Sequence, residues 1–356
     1  MRVAVVGAGL IGGSVGLAAR GRLGAEVRAF DPDPAARAAA AAAGAADTVC
    51  DTVAEALGGA EAVVVCAPLN ALGDALSVAL GAAGPDCLVT DVGSVKRGLV
   101  GTHEEPRYVG GHPLAGAEAS GVGAARADLF EDATWYLTPT AVTRGTLLER
   151  AHRLITGLGA HPVAIDADAH DRLMATVSHL PHVLANVLVG QAAGALGEGD
   201  SLPATGPSFR DTTRVAGANP ALWPDIYLGN AEALLAALDE AVEALGRVRS
   251  QVAAGRRAEL AAWQEEAAAQ RRDLLEAGSL GGPVRELRVA VPNRPGVIAE
   301  LALTLGRAGV NISDMALSPS PDARNGVVAL WVAEAGAERA RRLIGEQGHP
   351  VTEGSR

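Results

Sequence analysis

Hydrophobic and polar positions follow three different periods along the chain, and each period marks a different kind of segment. In the first stretch, residues 3–6 form a short apolar run of the length and composition of a buried parallel strand, and 26–31, 62–66 and 87–91 read as the strands that follow. Between them the spacing turns helical, over 10–20 and about 71–82. Further strands are expected at 107–109, 134–138 and 161–165, with a helix near 146–158 between the last two. Strands alternating with helices build a doubly wound α/β sheet. After residue 167 the alternation stops. Residues 169–196 read as one long helix, which Pro181 should kink because it has no N–H to donate. Leu234, Leu238, Val242, Leu245, Val248 and Val252 recur at steps of three and four. That is the stripe of a long amphipathic helix with a near-heptad seam, and 256–276 reads as a second, more charged one. A Gly/Ser/Pro-rich linker at 278–283 ends this region. Two-residue alternation then returns at 287–291, followed by a helix over 298–308, a second strand beginning at 309–312, a third at 327–332 and a helix at 337–346. The order β-α-β-β-α is ferredoxin-like. Three domains are expected, at 1–166, 167–280 and 284–356.

Chemistry attaches to these elements at a few places. Gly7-Ala8-Gly9-Leu10-Ile11-Gly12 follows the first strand and opens the first helix. Gly7 permits the tight turn, Gly9 lets backbone approach a pyrophosphate, and Gly12 lets helix and strand pack closely. The free N–H groups of the helix start then face the phosphates. Asp31 ends the second strand, where an acidic residue accepts from a ribose 2′-hydroxyl and repels a 2′-phosphate. NAD is therefore expected over NADP, with Arg37 within reach of the same region. In a doubly wound sheet the ligand lies over the carboxyl ends of the strands, which puts Pro68, Ser94 and His112 on one rim. The candidate cofactor contacts are Gly7, Gly9, Leu10, Ile11, Gly12, Asp31 and Pro68.

His112 belongs to Gly110-Gly111-His112-Pro113-Leu114-Ala115-Gly116-Ala117-Glu118, which reads as a loop delivered by the strand at 107–109. Glycines let its backbone approach a ligand, and Pro113 holds His112 extended. The loop presents an imidazole, which moves protons near neutral pH, and a carboxylate at Glu118. Ser94 suits a bound hydroxyl and equally suits capping the helix that follows. Lys96 reads as structural or solvated. In the middle segment, a kink at Pro181 would bring His179 or His182 into a cavity, unless the histidine only satisfies a backbone carbonyl. Arg210 and Arg214 lie four apart, on one face if helical. A guanidinium there suits a carboxylate ligand, or a surface ion pair with Asp211 or Asp225.

Totals narrow the field. The chain has 356 residues, 49% hydrophobic but only 3% aromatic, so its cores are built mainly from Ala, Val and Leu. A net charge of -11 disfavours nucleic acid, which needs a basic face. Cys50, Cys66 and Cys87 lie in apolar segments and read as core thiols of a reducing cytosol, with no metal site. No signal peptide and no membrane-spanning apolar run is read, so a cytoplasmic location is expected. The striped helical domain is expected to pair with its own copy as a homodimer.

Three segments together resemble the prephenate/arogenate dehydrogenase family of tyrosine biosynthesis: the glycine motif with Asp31, the Gly-Gly-His-Pro-Leu-Ala-Gly segment, and Ser-His-Leu-Pro-His followed by Phe209-Arg210-Asp211-Thr212-Thr213-Arg214. The resemblance covers residues 1 to about 255, with Ala117 where relatives often carry Thr and Gly206-Pro207-Ser208 where they tend to carry more glycines. The tail, with Asn293-Arg294-Pro295-Gly296 and Asn311, resembles an ACT domain. The resemblance implies a Rossmann-type dinucleotide-binding domain, an all-α dimerisation domain and an α+β ACT domain. It implies oxidative decarboxylation of prephenate to 4-hydroxyphenylpyruvate, with NAD+ taking a hydride. His112 would accept or polarise the proton of the ring hydroxyl, so activity should rise with pH as the imidazole becomes neutral. Ser94 would hold the same hydroxyl and Arg214 grip a carboxylate. His179 would line the pocket and Glu118 order its polar network, while Arg210 binds substrate or anchors the loop. Tyrosine is the expected effector, at Asn293, Arg294, Pro295, Gly296 and Asn311; a tail that only supports an oligomer is the competing reading. Arogenate is the rival substrate. A hydroxyacid or imine reductase with the same nucleotide domain is a second enzyme class, and an NAD-sensing regulator a non-enzymatic one.

Overall fold

Residues 3–6 carry no polar side chain, and the computed structural model buries all four, as a strand covered on both faces requires. The structure describes residues 1–116, 119–195, 206–277, 284–319 and 325–353. Strand β1 (Arg2–Val6) leads into α1 (Leu10–Leu23), β2 (Glu26–Phe30), α2 (Pro34–Ala42), β3 (Thr48–Val49), α3 (Val53–Leu57), β4 (Ala62–Val65), α4 (Leu69–Ala82), β5 (Leu88–Asp91), α5 (Arg97–Thr102) and β6 (Tyr108–Pro113). Then come β7 (Thr134–Thr138), α6 (Gly145–Gly157) and β8 (His161–Ala164). The sheet order is β3-β2-β1-β4-β5-β6-β7-β8. Strands β1 to β6 are mutually parallel. The direction reverses between β6 and β7, which pair antiparallel.

The sequence reading left residues 32–60 without elements. Alanine runs carry no period, yet the caps are present: the Asp33 carboxylate accepts from Ala35 N at 2.9 Å ahead of Pro34. Thr52 and Glu55 close a reciprocal capping box over α3.

The helical segments are α7 (Ala167–Met174), α8 (Leu180–Gly194), α9 (Pro207–Thr213), α10 (Trp223–Gly229), α11 (Ala231–Ala253) and α12 (Arg257–Ala277). The kink expected at Pro181 is a π-turn over Ala175–His179. With no N–H at Pro181 the ladder loses a bond, and the chain widens one turn instead of breaking. The run Ala167–Gly194 is long and apolar enough, by length and composition, to cross a membrane. Asp171, Arg172, His179 and His182 fall within it, so it is not an uninterrupted apolar run.

The tail forms β9 (Val284–Pro292), α13 (Val297–Arg307), β10 (Ile312–Pro319), β11 (Asn325–Ala333), α14 (Glu334–Glu346) and β12 (Val351–Glu353), in an antiparallel sheet ordered β10-β11-β9-β12. The short β12, three residues against β9, was missing from the β-α-β-β-α reading.

The chain divides into two compact units. One comprises Met1–Asp171, Ala218–Gly229 and Val284–Arg356; the other comprises Arg172–Gly217 and Asn230–Pro283. The tail thus shares a core with the nucleotide sheet: Leu147 and Leu154 of α6 belong to one apolar cluster with Ile298 and Leu305 of α13. The contact is close enough to demand glycine. A side chain at Gly306 would strike the Ala164 carbonyl, and Gly296, at φ 81°, donates to Thr143 O at 3.3 Å.

Below this contact, buried His152 of α6 bonds Ile312 O through Nε2 at 2.9 Å. Burial holds the imidazole below its usual 6.5, against the opposing pull of the Ile312 carbonyl and the Asp314 carboxylate. The unfolded chain therefore binds the proton more readily. The stability from neutral His152 is full above 6.5 and is lost as pH falls through that value toward the depressed one. The expected result is that the urea midpoint of the protein falls on moving from about pH 7.5 to about pH 5.5 by more than that of His152→Leu. Equal falls would contradict this role.

Candidate active site

The glycine motif fits a dinucleotide on the evidence of what side chains would meet. A Cβ at Gly7, whose φ is 101°, would lie 2.6 Å from the Cys66 carbonyl oxygen, and one at Gly12 would strike Gly7 O. A Cβ at Gly9 would meet nothing within 4 Å, so this α-carbon faces the space a pyrophosphate needs. The first turn of α1 has no side-chain cap, which leaves its N–H groups directed outward. Leu10 and Ile11 turn partly inward against the apolar core. Asp31 binds the loop itself, accepting from Ala8 N at 2.7 Å and Asp33 N at 2.9 Å. Arg37 is held on Asp31 O at 2.8 Å, so both charges sit at the end of β2. Pro68 is exposed at the start of α4.

Next to this cradle, β5 ends in a carboxylate that no water reaches. Asp91 is fully buried. Its Oδ1 accepts from Gly93 N at 2.7 Å and pairs with Lys96 Nζ, while Oδ2 accepts from the Tyr108 hydroxyl at 2.7 Å and Gly111 N at 3.2 Å. Lys96 is equally buried. Desolvation pulls its pKa down and the Asp91 carboxylate opposes that shift. Burial, with Asp91 alongside, pushes the Tyr108 phenol up.

This hub positions His112. The segment read as a loop is strand: β6 runs through Pro113, with His112 opposite Tyr136 and Gly111 opposite Leu137 on β7. The glycines serve close packing rather than loop freedom. A side chain at Gly111 would strike the Asp91 carbonyl oxygen, and one at Gly110 would strike Thr138 Oγ1. A Gly-Gly-His-Pro string has no apolar alternation, so pattern alone could not mark it as strand. His112 is 9% exposed. Its Nδ1 lies 2.9 Å from His170 Nε2, and His170 Nδ1 lies 2.8 Å from Asp171 Oδ1.

The Asp171 carboxylate also accepts from Lys96 N at 2.8 Å and Arg97 N at 3.0 Å. It therefore caps α5, the task considered for Ser94, which lies two residues before the cap position and is half-buried. His170, Asp171, Asp91 and Tyr136 were missed as site residues. The available signal was a His-Asp pair at the head of a helix, which has no meaning until the fold brings residue 170 to residue 112. Glu118 lies outside the described residues.

In the second unit, His179 is buried in the π-turn, with Nδ1 3.2 Å from Asn230 Nδ2. His182 is buried one turn on and hydrogen-bonds the Val215 backbone; burial lowers its pKa against that bond. It is thus the histidine that satisfies backbone, and it fixes the turn beside Arg214. Arg210 lies in α9 and Arg214 opens a 3₁₀ turn over Arg214–Gly217. Both are exposed, and among the described residues neither is paired with Asp211 or Asp225.

A cavity of about 350 Å³ lies between the tail and α6. Asn293, Arg294 and Pro295 line it together with Arg144, Glu149 and Val327. Gly296 and Asn311, expected there, do not. The former is used in docking against Thr143, and the latter stands at the head of β10.

Family models match three segments: the prephenate dehydrogenase nucleotide-binding domain over residues 15–164, its dimerization domain over 166–266, and an ACT domain over 285–347. A prephenate dehydrogenase of Bacillus subtilis (strain 168) is 30% identical over 354 residues, 96% of this chain and 95% of that one. The chain belongs to the prephenate dehydrogenase family. A cyclohexadienyl dehydrogenase of Zymomonas mobilis is 34% identical, over 70% of this chain and 88% of its own. Among solved structures, prephenate dehydrogenase from A. aeolicus in complex with hydroxyphenyl propionate and NAD+ aligns with a TM-score of 0.71 at 30% identity, covering 77% of this chain and 98% of that one. Synechocystis arogenate dehydrogenase aligns with a TM-score of 0.69 at 28% identity, covering 77% and 100%. Leu235, Val242, Leu245 and Val252 of α11 lie exposed within the segment that the dimerization-domain model matches. Val187, Leu188 and Val189 of α8 are exposed in the same segment.

Lys96→Met removes one half of a dry ion pair and strands the Asp91 charge. The expected loss is about 3–5 kcal/mol of folding stability by denaturant titration. A loss below about 1 kcal/mol, the scale of a solvated pair, would contradict the geometry.

Proposed function

We propose that the protein is a prephenate dehydrogenase, converting prephenate and NAD+ to 4-hydroxyphenylpyruvate, CO2 and NADH in tyrosine biosynthesis. The observation that carries this reading is His112. It is a nearly buried imidazole at the carboxyl end of a dinucleotide-type sheet, held through Nδ1, in a chain that matches a prephenate dehydrogenase along almost its full length. Bound NAD+ supplies the hydride acceptor. Gly7, Gly9, Leu10, Ile11, Gly12 and Pro68 shape its site, and the Asp31 carboxylate favours a free ribose 2′-hydroxyl over a 2′-phosphate. His112 accepts the hydrogen bond of the ring hydroxyl and draws off its proton as the carbon–hydrogen electron pair departs. Ser94 holds the same hydroxyl. Arg214 clamps a substrate carboxylate, His179 donates to the substrate, Glu118 orders the polar network, and Arg210 anchors the segment carrying Arg214. Loss of CO2 leaves an aromatic ring, which drives the conversion forward. The enzyme works as a homodimer in the cytoplasm, where unpaired Cys50, Cys66 and Cys87 remain reduced.

Tyrosine is the proposed effector, bound in the cavity between the tail and α6. Val291, Ile298, Leu317 and Val327 offer apolar wall for its ring, and Arg144, Glu149 and Arg294 offer charge for its ends.

In steady-state kinetics with prephenate, His112→Asn is expected to lower kcat by ~10²–10⁴-fold with KM nearly unchanged. Arg214→Gln is expected to raise KM by about 10–100-fold, more than it lowers kcat, for the loss of a charge-assisted clamp. Normal turnover in the first variant, or an unchanged KM in the second, would remove that residue from its role. Val327→Trp fills the cavity and is expected to abolish inhibition by tyrosine; an inhibition curve that does not move would put the effector elsewhere.

A further inference from the structure

His112 needs a lone pair on the nitrogen that meets the substrate, and an imidazole can carry its proton on either nitrogen. We propose that His170 and Asp171 are positioning residues that fix the His112 proton on Nδ1, so that Nε2 is the basic atom. This inference rests on the reading of His112 as the base.

At the far end of this chain of contacts the donors are unambiguous. Asp171 Oδ1 accepts from Lys96 N at 2.8 Å and Oδ2 from Arg97 N at 3.0 Å. Backbone amides only donate, so both oxygens act as acceptors. A carboxylate has no proton to give, so the contact from Asp171 Oδ1 to His170 Nδ1, at 2.8 Å, is made by an Nδ1–H that donates. In neutral His170 the lone pair is then on Nε2. That lone pair faces His112 Nδ1 at 2.9 Å, and the contact is favourable only if His112 carries its proton there. The other tautomer of His112 would set two lone pairs against each other in a dry site. His170 is fully buried and Asp171 3% exposed, so water is not at hand to relieve that mismatch.

Packing fixes the geometry as well as the proton. The Tyr136 ring meets His170 edge-on, with centroids 5.5 Å apart at 79°, and the His112 and His170 rings meet at 73°. Turning the His170 ring over would place carbon against both Asp171 Oδ1 and His112 Nδ1, so the two contacts together hold its orientation. Asp171 is tied to two successive amides of a different element, so the whole relay is anchored on the α5 start.

The test is ¹⁵N NMR of histidine-labelled full-length protein, combined with kinetics. In the native protein the His112 resonances are expected to show Nδ1 protonated and Nε2 unprotonated. In His170→Phe, which retains bulk but accepts nothing, the His112 proton is expected to redistribute between the two nitrogens. In the same variant kcat is expected to fall by ~10–100-fold, while KM for prephenate and the Kd for NAD+ stay within about twofold, the split a positioning role demands. His170→Gln, whose amide oxygen accepts from Nδ1–H, is expected to recover most of the lost turnover. Native His112 protonated on Nε2, or His170→Phe with an unaltered tautomer and normal kcat, overturns the proposal. If His112→Asn itself retains full activity, the base assignment has failed, whereas the native NMR spectrum still reads the tautomer directly.

Discussion

The site depends on how closely β6 lies against β5 at the point where the sheet changes direction. Gly111 lets β6 meet β5 at the Asp91 carbonyl, and Gly110 lets it meet Thr138 of β7; the approach to β5 is then locked by the buried Asp91 carboxylate. That one group gathers the turn after β5 through Gly93 N and Lys96, and β6 through Tyr108 and Gly111 N. A charge in so dry a place is tolerable only with every lone pair engaged. The consequence for chemistry is a short, stiff strand end that carries His112 on the same sheet as the glycine turn between β1 and α1. Strands hold a reacting group more precisely than loops do.

The same rigidity extends to the tail. Helix α6 forms one wall of the cavity with its first turn, and its body packs beneath β5, β6 and β8 and against β10. An amino acid bound in that cavity would touch a helix that packs against the strand bearing His112. Coupling between two sites needs such a shared body with two arrangements. The docking explains why the tail, separated in the sequence by a glycine-rich linker, shares its apolar cluster with the nucleotide sheet. Gly296 and Gly306 form part of that contact, against Ala141 and Ala164.

Much of the architecture was legible because it is local. Buried strands such as 3–6 and 62–65 announce themselves by lacking any polar residue, and the glycine motif has meaning in its strand-to-helix setting. The long stripe of α11 was equally readable. What could not be read depends on distant partners. Residues 110–113 lack an apolar pattern, so their strand character appears only once β7 pairs with them. His170 and Asp171 look like ordinary helix-start residues until folding carries them to His112 and α5. Lys96 was ambiguous because burial of a lysine depends on where Asp91 is placed. Of the two histidines flanking Pro181, only the structure tells that His182 serves the Val215 backbone while His179 meets Asn230.

The central claim is that this scaffold oxidises prephenate with NAD+. The most direct measurement incubates purified protein with NAD+ and either prephenate or arogenate, following NADH by absorbance and the aromatic product by chromatography. The account predicts NADH and 4-hydroxyphenylpyruvate in equal amounts from prephenate, with arogenate the poorer substrate. No NADH from prephenate, or faster turnover of arogenate, would contradict it.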